Sequence, residues 1–238
     1  MSKVLVIIPT YNEKENIQAI ITAVLSQSDY HVLVVDDGSP DGTAAIVKDL
    51  QAQTYTEELH LLERSGKLGL GTAYIAGFRL GLELGYVILM EMDADFSHNP
   101  KDLPRLVAAL GSDKVGMAVG SRYVKGGGFR NWDKYRLILS YGASIYTRII
   151  TGMPVKDPTA GFVAYKRTTL EKMDLDKIQF IGYAFQIEMK YYCHRLGYKI
   201  QEVPITFIDR ELGVSKMNMS IVQEGILGVL KMRMRKYV

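Results

Sequence analysis

Residues 85–100 read GYVILMEMDADFSHNP. The run Tyr86–Met90 is continuously apolar, which is typical of a strand that is buried on both faces of a sheet. Three carboxylates follow it at once, Glu91, Asp93 and Asp95. Burying a carboxylate without a partner is costly, so these side chains are expected to meet water, hydrogen-bond donors or a cation. The stretch therefore predicts a buried strand that ends in an acidic rim.

The same alternation of an apolar run and a helix-length amphipathic segment recurs through the first half of the chain. The predicted strands are Val4–Ile8, Val32–Val35, Leu59–Leu62, Tyr86–Met90 and Val115–Val119, and the predicted helices are Lys14–Gln27, Thr43–Gln51, Gly71–Leu84 and Pro100–Leu110. Continuous apolar strands separated by helices predict the α/β class, a doubly wound, mostly parallel sheet with helices on both faces.

The second half continues the pattern less regularly. Residues 121–135 are predicted to be a loop, because the glycines 126–128 break any regular element. The later predicted elements are a helix Arg136–Ile150, a strand Phe162–Tyr165, a helix Ala184–Leu196, a strand Ile200–Ile208 and a helix Met219–Lys236. No linker or repeat divides the chain, so a single domain over residues 1–238 is predicted.

Composition excludes several classes of protein. The 238 residues are 47% hydrophobic and 23% charged, as in ordinary globular proteins. The net charge of +3 is mild and no basic run is interleaved with aromatic residues, so nucleic acid is not expected as a partner. A single cysteine, Cys193, excludes an internal disulfide framework. No segment reaches the roughly 18 unbroken apolar residues of a membrane-spanning helix.

Three predicted strands end in polar residues, at 9–13 (PTYNE), 36–39 (DDGS) and 93–95 (DAD). In open α/β sheets ligands bind beyond the carboxyl ends of the strands, so the three ends are expected to converge on one site. The glycine-rich stretch 66–73 (GKLGLGTA) does not follow the first strand, where a dinucleotide-binding fingerprint belongs, and NAD or FAD binding is disfavoured.

Asp93 and Asp95 are two residues apart, so both side chains point to the same side of an extended segment. That arrangement suits a hard divalent cation, which prefers oxygen ligands and, when it is Mg²⁺, shares them with substrate phosphates. The alternative is structural, since Asp95 or Ser97 could cap the helix that starts near Pro100.

The second acidic pair offers a nucleotide-binding site. Asp36 and Asp37 close a strand and are both candidates for binding a base or a ribose, while Ser39 or Asp41 could cap the following helix.

An anion site is predicted on the helix Arg136–Ile150. Arg136, Ser140 and Ser144 recur every four residues and so share one helix face. Together with Arg122 they supply hydrogen-bond donors for a charged group, each worth about 1.5–3 kcal/mol. The alternative is a solvated helix face. The final helix, apolar with a basic end at 231–236, fits a core helix and a membrane-facing helix equally.

Eight motifs occur in the order found in the dolichol-phosphate (polyprenol-phosphate) mannose synthases. They are VIIPTYNEKENI, VVDDGSPDGT, GKLGLGTAY, MDADFSHNP, GSRYVKGG, DPTAGF, GYAFQIEM and DRELGVSK. The chain thus resembles a glycosyltransferase family 2 enzyme of the GT-A fold over nearly its whole length. The resemblance implies transfer of mannose from GDP-mannose to a polyprenyl phosphate with Mg²⁺ or Mn²⁺. It also implies a nucleotide-sugar half (1–120), an acceptor half (121–216) and a C-terminal amphipathic helix (217–238).

The resemblance assigns roles to matching positions. The nucleoside pocket would be lined by Pro9, Tyr11, Glu13 and Asp37, and the metal and the pyrophosphate would be bound by Asp93 and Asp95, with Ser97. The lipid phosphate would be held by Arg122, Arg136 and Ser140. Close to the diphosphate would lie Arg210 and Lys216. A phosphate acceptor is already an anion and needs no general base, so the expected catalytic groups are Asp93, Asp95, Arg122 and Arg210, acting with inversion at the anomeric carbon.

The resemblance further implies a peripheral protein on the cytoplasmic face of a membrane, without a transmembrane helix, with a small membrane-anchoring subunit as one route of attachment. Two alternatives stay open. The donor could be a UDP-sugar, carrying glucose or N-acetylglucosamine to the same class of lipid, or the chain could be a non-catalytic nucleotide-sugar-binding subunit.

Overall fold

The predicted strands of the first half all form in the computed structural model, which describes residues 4–182, 184–209, 219–235 and 237, apart from the side chains of residues 134, 135, 219–224 and 226. The strands are β1 (Val4–Thr10), β2 (Tyr30–Asp36), β3 (Leu59–Glu63), β4 (Ile88–Glu91), β5 (Val115–Ser121), β6 (Gly128–Arg130), β7 (Val163–Lys166), β8 (Lys199–Pro204) and β9 (Thr206–Ile208).

Helices connect these strands at the predicted places, and one short helix that was not predicted, Arg167–Lys172, follows Val163–Lys166. They are α1 (Ile17–Leu25), α2 (Thr43–Gln53), α3 (Leu70–Glu83), α4 (Leu103–Ala109), α5 (Lys134–Thr151), α6 (Arg167–Lys172), α7 (Ala184–Arg195) and α8 (Met219–Met234). A 3₁₀ turn, Pro100–Asp102, precedes α4. Its cap is Asn99, whose Oδ1 accepts a hydrogen bond from the Lys101 amide at 3.1 Å, so neither Asp95 nor Ser97 caps this segment.

The described residues form a seven-stranded sheet of order β3-β2-β1-β4-β7-β5-β8. All neighbouring pairs are parallel except that β7 runs antiparallel to both β4 and β5. The mostly parallel, doubly wound architecture predicted from the sequence is therefore confirmed, with β7 as the one reversed strand among the described residues.

Two sequence predictions for the second half were too coarse. The loop 121–135 contains the short strand β6, which pairs in parallel with β9 to form a separate two-stranded sheet. The predicted strand Ile200–Ile208 is interrupted at Ile205, so that its first part joins the large sheet and its last part pairs with β6. Strand β9 lies beside the acidic segment, since the Ile208 amide donates a hydrogen bond to the Ser97 carbonyl at 3.2 Å.

Alternation along each central strand explains the two hydrophobic cores. On β1, Leu5 and Ile7 face a core with α3 and α7, while Val4, Val6 and Ile8 face a second core with α1 and α4. Because helices cover both faces, all five side chains are buried, and the strand reads as a continuous apolar run.

A polar cluster lies at the amino end of the sheet, opposite the rim. The Tyr86 hydroxyl lies 2.7 Å from Nδ1 of His31 and 2.8 Å from Nε2 of His60. A hydroxyl has one proton, so it donates to one ring and accepts from the other. Burial lowers the pKa of both histidines, in His31 against the opposing effect of Glu58.

This cluster predicts acid-sensitive stability. Because the folded-state pKa values of His31 and His60 lie below the usual value of about 6.5, the unfolded chain binds more protons as the pH falls below that value. The free energy of unfolding, measured by urea titration, should therefore fall as the pH is lowered from 7 to 5. His60→Gln should flatten this dependence, and an unchanged pH slope in that variant would contradict the assignment.

Candidate functional site

A cleft of about 360 Å³ opens at the carboxyl ends of β1, β2 and β4. The predicted site residues that line it are Pro9, Tyr11, Glu13, Asp37, Asp93, Asp95, Ser97, Arg122 and Arg136. The three polar strand ends thus converge on one site, as a parallel sheet requires.

Asp37 anchors one end of this cleft. Its Oδ1 accepts a hydrogen bond from Nε of Arg64 at 2.6 Å, and Nη1 of Arg64 donates to Thr72 on α3 at 2.8 Å. Nearby, Nζ of Lys67 lies 5.2 Å from the centre of the Tyr11 ring. An aromatic ring can stack on a base, and a carboxylate held by an arginine, as Asp37 is, can accept a hydrogen bond from a ribose.

Asp36 does not line the cleft, which revises its expected role in nucleotide binding. It is the last residue of β2, pairs in register with Thr10 and is 1% exposed. Its carboxylate accepts hydrogen bonds from Thr10 Oγ1 (2.9 Å), Ser39 N (2.9 Å) and Ser39 Oγ (2.6 Å). Since successive strand residues point in opposite directions, only one of the two adjacent aspartates can face the ligand side.

The acidic rim follows β4. The Asp95 carboxylate accepts a hydrogen bond from the Ser97 amide at 3.1 Å across Phe96, whose φ is +58°. The Asp93 side chain is 39% exposed, and its Oδ2 lies 3.8 Å from Nδ1 of buried His98. Burial lowers the pKa of His98 to about 4, so this ring is neutral at pH 7 and adds no positive charge beside the aspartates.

Arg122 follows β5 and is 6% exposed. Its Nε and Nη2 donate to the two oxygens of Asp157, both at 2.7 Å, and Nη2 also donates to Thr159 at 2.9 Å. Four aromatic rings surround its guanidinium, with Cζ 5.5–5.7 Å from their centres: Tyr123, Phe129, Trp132 and Phe207. This buried, bidentate pair fixes Arg122 in position.

Arg136 lies in the first turn of α5 and is held more loosely. Its Nη1 donates to Asp209 at 2.8 Å in a pair whose two side chains are 28% and 26% exposed. Its Cζ lies 5.0 Å from the Trp132 ring centre, and its buried Nε has no hydrogen-bond partner among the described residues. A partly exposed ion pair contributes little to stability, so Arg136 can offer its donors to an anion in the cleft.

Ser140 lies apart from the cleft lining, which revises its expected role at the acceptor phosphate. Its Oγ accepts a hydrogen bond from the Tyr123 hydroxyl at 2.8 Å. Ser144 is buried and donates back to the Ser140 carbonyl at 2.9 Å. The spacing of four residues did place both serines on one helix face, but that face packs beside Tyr123. Arg210 and Lys216, predicted near the diphosphate, lie outside the described residues.

Several cleft residues received no role from the sequence. They are Lys67, His98, Trp132, Thr159, Gly161, Gln186 and Asp209. Gly161 and Gln186 fall within the quoted motifs DPTAGF and GYAFQIEM, which was the only signal for them in the chain.

Beneath Gln186 lies a buried polar network. Glu91 and Lys190 are both 0% exposed, and burial raises the pKa of Glu91 while it lowers that of Lys190. The Glu91 carboxylate accepts hydrogen bonds from the Tyr165 hydroxyl at 2.8 Å and from the Gln186 amide. The third carboxylate of the acidic stretch therefore serves the core below the cleft and is not a rim ligand.

Comparison with known proteins places these features in context. The family model described as "Glycosyl transferase family 2" matches residues 5–174. A polyprenol monophosphomannose synthase of Mycolicibacterium smegmatis is 48% identical over 236 residues, covering 98% of this chain and 88% of the relative. An undecaprenyl-phosphate mannosyltransferase of Micrococcus luteus is 47% identical over 232 residues, covering 96% and 93%.

Among solved structures, glucosyl-3-phosphoglycerate synthase from Mycobacterium tuberculosis shares the fold. The complex described with Mn²⁺, uridine diphosphate and glucosyl-3-phosphoglycerate matches with a TM-score of 0.69 and 19% identity, covering 97% of this chain and 79% of that one. At this identity the match supports the fold alone.

Proposed function

The chain belongs to glycosyl transferase family 2 and is a glycosyltransferase, and from this we propose that it transfers mannose from GDP-mannose to a polyprenyl phosphate. The products are polyprenyl phosphate mannose and GDP, with inversion at the anomeric carbon. One observation carries the proposal: a single cleft joins an acidic rim, Asp93 and Asp95, to two arginines, Arg122 and Arg136. The names of the two relatives support the sugar and the class of lipid.

The rim suits a divalent cation. Asp93, Asp95 and Ser97 offer hard oxygen ligands to the same cleft, and the described residues contain no group of three His, Cys, Asp or Glu side chains placed to hold a metal. The protein would thus bind Mg²⁺ or Mn²⁺ through a few oxygens and leave positions for substrate phosphates. When bound, the ion supplies Lewis-acid stabilisation of the departing diphosphate.

The arginines suit the acceptor. A phosphate monoester is already a nucleophile, so the chain has to hold it in line with the anomeric carbon and compensate part of its charge. Arg122 is held in place by Asp157 and would contribute a fixed positive charge to the cleft. Arg136 can exchange its bond with Asp209 for a bond with the incoming phosphate. No proton has to be removed from such an acceptor, so the proposed reaction needs no general base.

Two helices form an exposed apolar surface that fits the lipid substrate. The exposed side chains are Ile138, Tyr141, Ile145 and Ile149 on α5 and Leu227, Leu230 and Met234 on α8. Exposed basic residues lie beside them, namely Arg148, Lys231 and Arg233. An apolar helix face flanked by basic residues binds the interface of anionic bilayers, with roughly 1 kcal/mol per basic residue near the surface. We propose that this α5–α8 surface rests on the membrane that carries the acceptor.

Among the described residues, no helix combines the length and the hydropathy needed to cross a bilayer.

A charge on this surface tests the membrane proposal. The variant is Ile149→Glu, at a position that is 74% exposed. We expect the amount of protein that co-sediments with anionic vesicles to fall at least about fivefold, because the new carboxylate is repelled by the anionic headgroups. Leu84→Glu is the matched control, since Leu84 is 46% exposed on a different surface at the end of α3. Equal losses for the two variants would contradict the assignment.

The choice of base and sugar is tested by competition. GDP and UDP are titrated against transfer from radiolabelled GDP-mannose, and the anomeric configuration of the lipid product is read by NMR. The proposal expects inhibition by GDP at concentrations at which UDP has no effect, and a β-linked product from the α-linked donor. Stronger inhibition by UDP would move the function to a UDP-sugar, and absence of turnover with every donor would indicate a binding subunit.

A further inference from the structure

The Gln186 side chain is 4% exposed, lines the cleft and is held at both ends of its amide. Nε2 donates to Glu91, and Oε1 accepts from Nζ of Lys190 at 3.1 Å. The reverse orientation would set the NH₂ group against an ammonium and the carbonyl against a carboxylate, so these neighbours fix the direction of the amide.

The supporting network is complete. Nζ of Lys190 donates at 2.7 Å to the Ala160 carbonyl, at 3.1 Å to the Gln186 carbonyl and at 3.1 Å to the Gln186 side chain, which uses its three protons. The second N–H of the Gln186 amide has no acceptor among the described residues. A preorganised donor in a cleft is suited to a ligand hydroxyl or carbonyl oxygen.

Gly161 lies beside this donor and leaves a space above it. A Cβ built on Gly161 would lie 3.7 Å from Nε2 of Gln186 and 3.9 Å from Cε1 of His98, with no other heavy atom outside the adjoining residues within 4 Å. A methyl group therefore fits there without a clash, but it would occupy cleft volume between the two side chains.

This space lies between the two parts of the cleft to which the proposed function assigns the diphosphate and the acceptor. His98 lies 3.8 Å from Asp93, on the metal and diphosphate side. Thr159, two residues before Gly161, accepts a hydrogen bond from Arg122, on the acceptor side. In a glycosyl transfer, the group between the diphosphate and the acceptor is the hexose itself.

We propose that Gln186 and Gly161 form the floor of the donor-hexose subsite, in which the Gln186 amide donates a hydrogen bond to a sugar hydroxyl and the missing side chain at position 161 makes room for the ring. This inference rests on the proposed function, because it takes a nucleotide sugar as the ligand. The buried Glu91 and Lys190 act as positioning residues for the amide.

The test compares binding of a nucleotide with binding of its sugar conjugate to the full-length protein, by calorimetry without lipid. Gly161→Ala should weaken GDP-mannose at least about tenfold and leave GDP within about twofold, since only the hexose meets the added methyl. Gly142→Ala, at an exposed helix position with no heavy atom outside its own helix within 4 Å of the added Cβ, should change neither affinity.

Gln186→Met gives a second reading, because it keeps the length of the side chain and removes the N–H. The same selective loss of GDP-mannose is expected, and if this variant unfolds, Gly161→Ala decides alone. The same variants are titrated with UDP and UDP-glucose. If the protein binds the uridine nucleotides and not the guanosine nucleotides, the proposed base is wrong. The subsite is then tested by comparing UDP with UDP-glucose. Equal changes in both members of a pair, or no change in either for Gly161→Ala, would overturn the subsite.

Discussion

Asp95→Ala is expected to lower mannosyl transfer by about a thousandfold at saturating Mg²⁺, which corresponds to about 4 kcal/mol of lost transition-state stabilisation. Asp95 lies on the acidic rim and lines the same cleft as Asp93, so its removal would halve the carboxylates that this rim offers to a divalent ion. Steady-state transfer measured across a Mg²⁺ titration shows whether the loss persists when the metal is no longer limiting.

Asp113→Ala is the matched control for this experiment. Asp113 is exposed at the amino end of β5, at the opposite end of the sheet from the rim, and its loss should leave transfer within about twofold. Full turnover of Asp95→Ala at high Mg²⁺ would remove Asp95 from the site.

Arg136→Ala is expected to lower kcat/KM for the polyprenyl phosphate by at least about a hundredfold, since it removes charged hydrogen bonds worth about 1.5–3 kcal/mol each. The affinity for GDP, measured by calorimetry, should change by less than about threefold. We expect this difference because Arg136 lies on α5 beside Trp132, whereas the nucleotide site is proposed at Asp37, Lys67 and Tyr11.

Arg79→Ala removes a comparable arginine far from the cleft, one that pairs with the exposed Asp176. It should leave both parameters unchanged, because exposed ion pairs contribute little. Parallel losses of acceptor use and GDP affinity in Arg136→Ala would assign this arginine to the donor instead.

The large sheet could be predicted from the sequence because its strands are buried on both faces. Such strands consist of continuous apolar residues, as in Val4–Ile8. The antiparallel direction of β7 could not be predicted from its residues. Val163–Lys166 is equally apolar whichever way it runs, and direction depends on the connections around it. The break at Ile205 was also invisible, since an apolar residue suits either sheet.

The rim residues could be predicted because polar side chains at the ends of buried strands are rare without a ligand or a partner. Asp36 shows the limit of that inference, since its partner is Thr10 on the neighbouring strand, and register cannot be read from either strand alone. The prediction for Ser140 was wrong for a related reason. The spacing of residues shows which side chains share a helix face, but it does not show what that face packs against. Gln186 lies in the quoted motif GYAFQIEM, but its hydrogen bond to Glu91, 95 residues away in the chain, could not be read from the sequence.

The transfer assay with and without chelator tests the central claim most directly. Radiolabelled GDP-mannose is incubated with a short polyprenyl phosphate, with the corresponding dephosphorylated polyprenol as a control acceptor, and label in the organic phase is counted. We expect mannolipid from the phosphate alone, its loss with EDTA, and its recovery with excess Mg²⁺ or Mn²⁺. Transfer that proceeds undiminished in EDTA, or that uses the uncharged polyprenol equally well, would contradict a cleft built from a metal-binding rim and an arginine-held phosphate.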